Sequence, residues 1–435
     1  MGQFRTKWMP IGIATILHFL VDGLCVCLLY LMAEKLQDAS DVVAMFLTYN
    51  VLAFMTQPLT GWWVDRLQKR QTALLLSSLL LSSAAILAFS FPRPLVFLLA
   101  SILLGMGNSL FHVWGGKLSA TQTANDMRAL GIFVSTGVLG LTVGVLYASW
   151  GLLAGMLLLI ILLGLISMRM QTVACEAFSP LPSVPEPAMR LCFWLLVILV
   201  FVLTRSYVGE VIQVGTDRTP HVLLLLALTA MGGKALGGWL ARWWGMGQAI
   251  VACLGIAAAC LMWRGADCVP LLPIVAGVFA INCTMPMTLC LSNRLLPQRE
   301  GLSFGLLAAV LIPGYLLAKS LPLPSEYSFM LPALLLTIAI EVGMLMLMGE
   351  KRRGVLIGAV VVNMLTNVPL NYFLLTFEGG TEHLIMGELL VLLVEAVWYY
   401  LFVRQWRKAA IYSLLCNATS FLVGVLLQYI ISYSL

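Results

Sequence analysis

Charge is scarce in this sequence, and the scarcity excludes most soluble architectures. Asp, Glu, Lys and Arg together make up 10% of the 435 residues, whereas 61% are hydrophobic, and histidine occurs only four times. Ordinary soluble domains carry about 25% charged residues, so a chain this poor in charge has to fold in lipid. No polar stretch is long enough for a large soluble domain. A G-x-x-x-x-G-K-S/T phosphate loop is absent, which removes direct ATP drive within this chain. H-E-x-x-H and D-D-x-x-D patterns are absent as well. The excess of 25 Lys and Arg over 19 Asp and Glu is scattered through short loops, which fits orientation in a membrane rather than nucleic-acid binding. Of the ten cysteines, most, including Cys25, Cys27, Cys253, Cys260, Cys283, Cys290 and Cys416, lie inside apolar runs, where a free thiol behaves as a small hydrophobe. Cys25 and Cys27 lack metal-ligand or redox spacing. Neither a metal nor a cofactor is expected.

What is present is a succession of apolar runs. A bilayer crossing needs about 20 such residues, and runs bounded by charges fall at 10–33, 42–63, 72–91, 93–115, 129–149, 151–168, 191–212, 220–243, 248–263, 268–291, 302–319 and 328–348, with three more at 354–376, 383–403 and 409–433. The first is too long for a signal-peptide core and has no small-residue cleavage site, so it reads as a retained span. Basic residues collect on every second loop: Arg66, Lys69 and Arg70, then Lys117 and Arg128, Arg169 and Arg190, Arg242, Arg294 and Arg299, Lys351 to Arg353, and Arg404 to Lys408. By the positive-inside rule that side is cytoplasmic. The N-terminus is predicted inside and, after an odd number of crossings, the C-terminus outside.

The longest polar break, 171–189, carries prolines at 180, 182, 185 and 187, which hold it extended. It divides the chain into a six-span lobe at 1–170, a second at 190–350 and an appended three-span segment at 351–435. Two six-span lobes about a central linker suit halves that rock around a central site. A short internal repeat agrees: GWWVDRLQKR from Gly61 to Arg70 follows the second span, and GGWLARWWG from Gly237 to Gly245 follows the eighth.

In Gly61, Asp65, Arg66, Lys69 and Arg70 the chain resembles the major facilitator superfamily, whose loop between spans two and three carries a G-x-x-x-D-R-x-G-R-R type motif; Gln68 stands where the family favours glycine. GMGNSLFHVWGGKLSA, Gly105 to Ala120, is similar to the fourth-span motif of the fosmidomycin-resistance-like exporter branch. HFLVDG, His18 to Gly23, and MPMTLCLSNRLLP, Met285 to Pro297, are similar to segments of related bacterial members. The resemblance covers about residues 1–350. It implies an all-α polytopic bundle in a bacterial cell (inner) membrane, moving a small molecule by alternating access as an antiporter or efflux protein.

The residues themselves suggest how. Gly61 permits close helix approach, and Asp65 can face the N-terminus of span eleven near Gly301, latching one side with Arg66, Arg70 and, in the repeat, Gly238. Arg242 stands at the repeat's Asp position, so a mirrored latch is expected to be missing. Ionisable groups inside spans are functional candidates. His18 and Asp22 share a face of span one, as do Asn108 and His112 of span four; Arg205, Lys234, Asn282 and Glu341 lie inside spans of the second lobe. Proton exchange at His18 and Asp22, a fixed hydrogen-bond network, and direct substrate contact all fit these residues. Two cations at 205 and 234 suit an anionic solute, or pairing with Asp22 and Glu341. In the appended spans Asn363, Asn367 and Asn371 form one stripe and Glu388 and Glu395 another, suited to docking helices or to a second ion path. Pro369 is expected to kink its span.

These features favour a secondary transporter of a small solute, proton-coupled and exporting, with protons and lipid as its partners. Uptake of an organic anion is the alternative within that class. A membrane-embedded enzyme or lipid-handling protein using the last three spans is the alternative outside it. The chain is expected to act as a monomer, with oligomers left open.

Overall fold

The computed structural model describes residues 2–67, 69, 71–170, 188–213, 216–262, 271–320, 330–376 and 380–434. Nearly all of them are helical, because lipid offers no water to satisfy a peptide group and a helix pairs each N–H and C=O within its own segment. The helices are α1 Gly2–Ala33, α2 Ala39–Asn50, α3 Gln57–Arg66, α4 Gln71–Ser90, α5 Pro94–Gln122, α6 Met127–Ser135, α7 Gly137–Leu146, α8 Trp150–Arg169, α9 Ala188–Val211 and α10 Pro220–Trp244. They continue as α11 Met246–Met262, α12 Leu271–Cys283, α13 Met285–Leu295, α14 Glu300–Ala309, α15 Leu311–Ser320, α16 Met330–Leu347, α17 Arg353–Thr376, α18 Thr381–Val403 and α19 Trp406–Ser434.

Each of the fifteen apolar runs carries helix among the described residues. Among the described residues 12 helices are long and apolar enough to span a bilayer, or 13 when α2 and α3, bent by 42°, count as one span. The set leaves out α11 and α16. Both adjoin undescribed residues, α11 at 263–270 and α16 at 321–329. Four runs that read as single spans are broken, and three of the breaks precede a proline. A π turn, Val51–Met55, and Thr56 separate α2 from α3, with Pro58 next. Thr284 parts α12 from α13 ahead of Pro286, and Val310 parts α14 from α15 ahead of Pro313. Proline lacks the N–H that would continue the ladder and its ring crowds the carbonyl a turn earlier. At the fourth break Thr136 turns its hydroxyl to Thr15 O, 2.6 Å away on α1. Pro369 lies inside α17 without ending it.

The chain forms two compact units, 1–257 with 270–321, and 258–269 with 322–435. In the first, α1 packs against α5, α6, α7 and α8, so that Leu17, Leu24, Cys25 and Leu28 have no exposed surface. There, too, α3 packs on α14, and α10 on α6 and α7. Most of the proline-rich linker at 171–189 lies outside the described residues.

In the second unit α16 packs with α17 and α19, and α18 with α17 and α19. The sequence had assigned α16 to the preceding lobe; here it shares a core with the appended helices through Leu345, Val355, Tyr399, Tyr412 and Cys416. Several polar groups inside this unit satisfy one another, while the buried Tyr399 hydroxyl has no hydrogen-bond partner among the described residues. Glu341 accepts from Asn363 Nδ2 at 2.6 Å and Ser420 Oγ at 3.2 Å, and Asn363 accepts from Asn367 at 3.0 Å. Glu395 accepts from Asn417 at 2.5 Å and Thr366 at 3.3 Å. Asn371 donates back to Asn367 O, and Glu388 is half-buried.

Just beyond α16, buried Glu350 accepts from the Arg352 guanidinium at 2.8 and 2.6 Å, from Arg352 N at 2.9 Å and from Tyr412 Oη at 2.9 Å. The Arg352 side chain, outweighing burial and aided by the Arg352 N–H and the Tyr412 hydroxyl, holds the Glu350 carboxyl down at about 2. A carboxyl depressed by folding contributes stability that is full above its unfolded value near 4.3 and is lost as pH falls through its folded value. Thermal unfolding in detergent should therefore show wild type more stable than Glu350→Gln by about 2 kcal/mol at pH 6. That gap should close between about pH 4.5 and 2; a gap that stays constant over that interval would discount the contact.

Candidate functional site

The first unit gathers a buried polar group from α1 and α5. One helical turn separates His18 from Asp22, and another Asn108 from His112, so each pair shares a face; the packing of α1 on α5 brings the two faces together. His18 Nε2 lies 3.3 Å from Asp22 Oδ2, His112 Nε2 3.4 Å from Asp22 Oδ1, and the two Nε2 atoms 3.0 Å from each other. Asn108 Nδ2 donates to Asp22 Oδ1 at 3.2 Å and to Cys25 Sγ at 3.5 Å. All four residues are buried. Gly137 of α7 covers the group: a Cβ there would collide with Asp22 Oδ2 and His18 Nε2, so only glycine allows this approach.

The ring nitrogens turned away from Asp22 are both spoken for. His18 Nδ1 lies 2.7 Å from Phe133 O and His112 Nδ1 3.0 Å from Asn108 O. A carbonyl oxygen only accepts, so each Nδ1 carries the hydrogen. In their neutral forms both rings then point an unprotonated Nε2 at the carboxylate.

The cations expected beside this group are close but not bonded to it. Lys234 of α10 is within electrostatic reach of His112, Asp22 and Arg205, yet among the described residues neither Lys234 nor Arg205 forms an ion pair within 4 Å, and Arg205 Nη1 is buried without a hydrogen-bond partner. Asn282 donates to Val278 O of its own helix. Glu341 belongs to the second unit, where it accepts from Asn363 and Ser420.

At one end of the first unit two seams join the halves. Asp65, its side chain buried, accepts from Gly301 N at 2.9 Å and Leu302 N at 2.8 Å, the first turn of α14. Lys117 Nζ lies 3.0 Å from Asp65 Oδ1 and 3.1 Å from Val64 O. A Cβ on Gly61 would overlap the Gly301 carbonyl. Arg66 stacks 3.4 Å over the Trp62 ring and stays exposed, while Arg70 lies outside the described residues. The repeat's seam has Gly238 against the backbone of Met127 and Arg128. Near the repeat's seam Asp126 caps α6 and binds Arg128, and Arg242 of α10 is within electrostatic reach of it. Burial alone would raise the Asp126 carboxyl, but hydrogen bonds from Arg128 and then the Arg242 charge hold it below the usual range.

The family model of the Major Facilitator Superfamily matches residues 11–311. The chain belongs to that superfamily. Among solved structures this facilitator is similar to the transporter FucP in the outward conformation, with 14% identity over 73% of this chain and 92% of that one, at a TM-score of 0.58. A singly substituted form of the E. coli fucose:proton symporter FucP gives 13% over the same shares, at 0.57. A bacterial homologue of the iron transporter ferroportin in an outward-facing state gives 16% over 74% and 95%, at 0.49. Identities of this size show the fold alone. Among curated proteins none matches. Family and fold make the chain a secondary transporter rather than an enzyme, and the match ends at residue 311, before α16 to α19.

Several residues of the facilitator's site were not singled out from sequence. Lys117, partner of Asp65, read as an ordinary loop charge, although its place within the run GGKLSA put it beside helix-packing glycines. Cys25 and the Phe133 carbonyl carry no motif. The stretch GLSFG, Gly301–Gly305, fits the G-x-S-x-G hydrolase pattern, but Ser303 is bonded to Ser292 Oγ at 2.8 Å and Gly301 and Gly305 pack on the backbone of α3.

Proposed function

We propose that this facilitator couples export of its small solute to proton entry, with His18, Asp22 and His112 as the proton-binding group. The tautomer geometry supports it: two Nε2 atoms 3.0 Å apart, each 3.3 to 3.4 Å from a carboxylate oxygen, repel unless positive charge sits among them, and a proton supplies that charge. Alternating access then exposes the group to each side in turn. The basic ends of the helices are cytoplasmic on this reading, with the N-terminus inside, the C-terminus outside and the two seams closing the cytoplasmic side. The working unit is a single chain, and the similarity of Gly105 to Ala120 to the fosmidomycin-resistance-like branch favours export.

A screen for ligands that raise the melting temperature identifies the solute, and proteoliposomes with an imposed pH gradient then test the coupling. Uphill flux should stop when an ionophore collapses the gradient. Uphill flux that continues at equal pH would refute proton coupling.

Uptake of an organic anion is the second reading, favoured by the buried, unpartnered Arg205 Nη1 and by Lys234 nearby. Saturable binding of a carboxylate solute that is lost in Arg205→Met would select it.

A further inference from the structure

The same three side chains have the dimensions of a metal site. His18, Asp22 and His112 can each bring one ligand atom within 4.8 Å of the others: the two Nε2 atoms stand 3.0 Å apart, and each faces its own carboxylate oxygen, His18 Nε2 at 3.3 Å from Oδ2 and His112 Nε2 at 3.4 Å from Oδ1. A first-row dication bonds imidazole nitrogen and carboxylate oxygen at about 2.0–2.2 Å, so neighbouring ligands at octahedral to tetrahedral angles stand about 2.9–3.4 Å apart. The surrounding shell also fits. Ligating histidines characteristically donate their other N–H to a carbonyl or carboxylate, which fixes the tautomer, and here both Nδ1 atoms meet backbone carbonyls while Asn108 holds the carboxylate.

We infer that His18, Asp22 and His112 bind a divalent transition-metal ion, of the zinc, manganese or iron(II) class, as the solute this protein moves. Two imidazoles and one carboxylate suit such borderline ions better than calcium or magnesium, which favour oxygen. Three protein ligands leave coordination positions open, as a passing ion requires and a closed structural site does not. The assignment of the ion as cargo rests on the transporter reading above. Metal and proton use the same lone pairs and exclude each other, which makes the group an exchanger. Lys234, on α10 of the other half, repels a dication at this point, and so favours its release.

The full chain in lipid nanodiscs, stripped of metal, is titrated with Co2+ as an optical probe. One saturable site per chain is expected, with visible bands lacking thiolate charge transfer and with imidazole scattering in X-ray absorption. His18→Gln and His112→Gln should each weaken binding at least about tenfold, whereas Lys234→Met should tighten it. Proteoliposomes should accumulate Co2+. Absence of saturable binding, sulfur ligation, or affinity unchanged in His112→Gln would overturn the assignment; should the histidine variants fail to fold, X-ray absorption on the wild type decides. If Co2+ does not bind while another solute still follows the pH gradient, the metal inference falls and proton coupling stands. If Co2+ binds through the histidines and its flux ignores the gradient, the metal stands and proton coupling falls.

Discussion

Asp65→Ala is expected to open the basic end of the first unit. The substitution removes the acceptor for Gly301 N and Leu302 N and strands the buried Lys117 ammonium with only the Val64 carbonyl. Breaking a buried ion pair by removing one partner costs about 3–5 kcal/mol, and the loss falls on the closed arrangement alone, because α3 and α14 meet only there. The closed population should drop by at least about 100-fold. Cys290 reports it: the thiol is fully buried on α13, 3.6 Å from Asn125 O at the second seam, and halves that part at one seam part at the other. Labelling by a thiol reagent, normalised to the unfolded chain, should rise in Asp65→Ala and fall back in part in Asp65→Ala with Lys117→Met, since the double variant has no stranded cation. A folded Asp65→Ala protein labelled at the wild-type rate would show that the contact does not hold the seam.

Asp22→Asn should abolish the pH response of the transporter without any cargo present. A proton shifts a conformational equilibrium only by its difference in affinity for the two states, and asparagine offers the imidazoles an amide that neither binds nor releases one. Wild-type Cys290 labelling, again normalised, should change at least about tenfold between pH 5 and 8, the effect of about 1.4 kcal/mol of differential proton affinity; in Asp22→Asn the profile should be flat. The other titratable groups around Asp22 are Cys25 on α1, Tyr49 on α2 and Lys234 on α10, with His18 and His112 themselves in the group. A pH profile that survives in Asp22→Asn would move the proton site to one of them.

Hydropathy and charge locate the helical runs of the described residues, and i, i+4 spacing puts His18 with Asp22 and Asn108 with His112 on common faces, because both signals are local and repeat with the helix. Hydropathy did not mark the breaks at Thr56, Thr136, Thr284 and Val310, although Pro58, Pro286 and Pro313 were legible as causes. Glu341 illustrates the remaining limit: its depth in an apolar run was readable, but that Asn363 and Ser420 would be its partners depended on where α16 packs.

By itself, then, the sequence determined that this protein lives in lipid, that it is helical, and which polar residues share a helix face with which. Tertiary structure alone decided that His18 and Asp22 meet a second histidine, 94 residues beyond the first, and that both imidazoles find a carbonyl for Nδ1. It also decided that Asp126, bonded to Arg128, comes within electrostatic reach of Arg242. The division has a physical reason. Spacing along one helix is fixed by about 3.6 residues per turn, whereas an approach between two helices is fixed by what their facing side chains allow, here glycine at 61 and 137, and no local pattern records which helix supplies the other side.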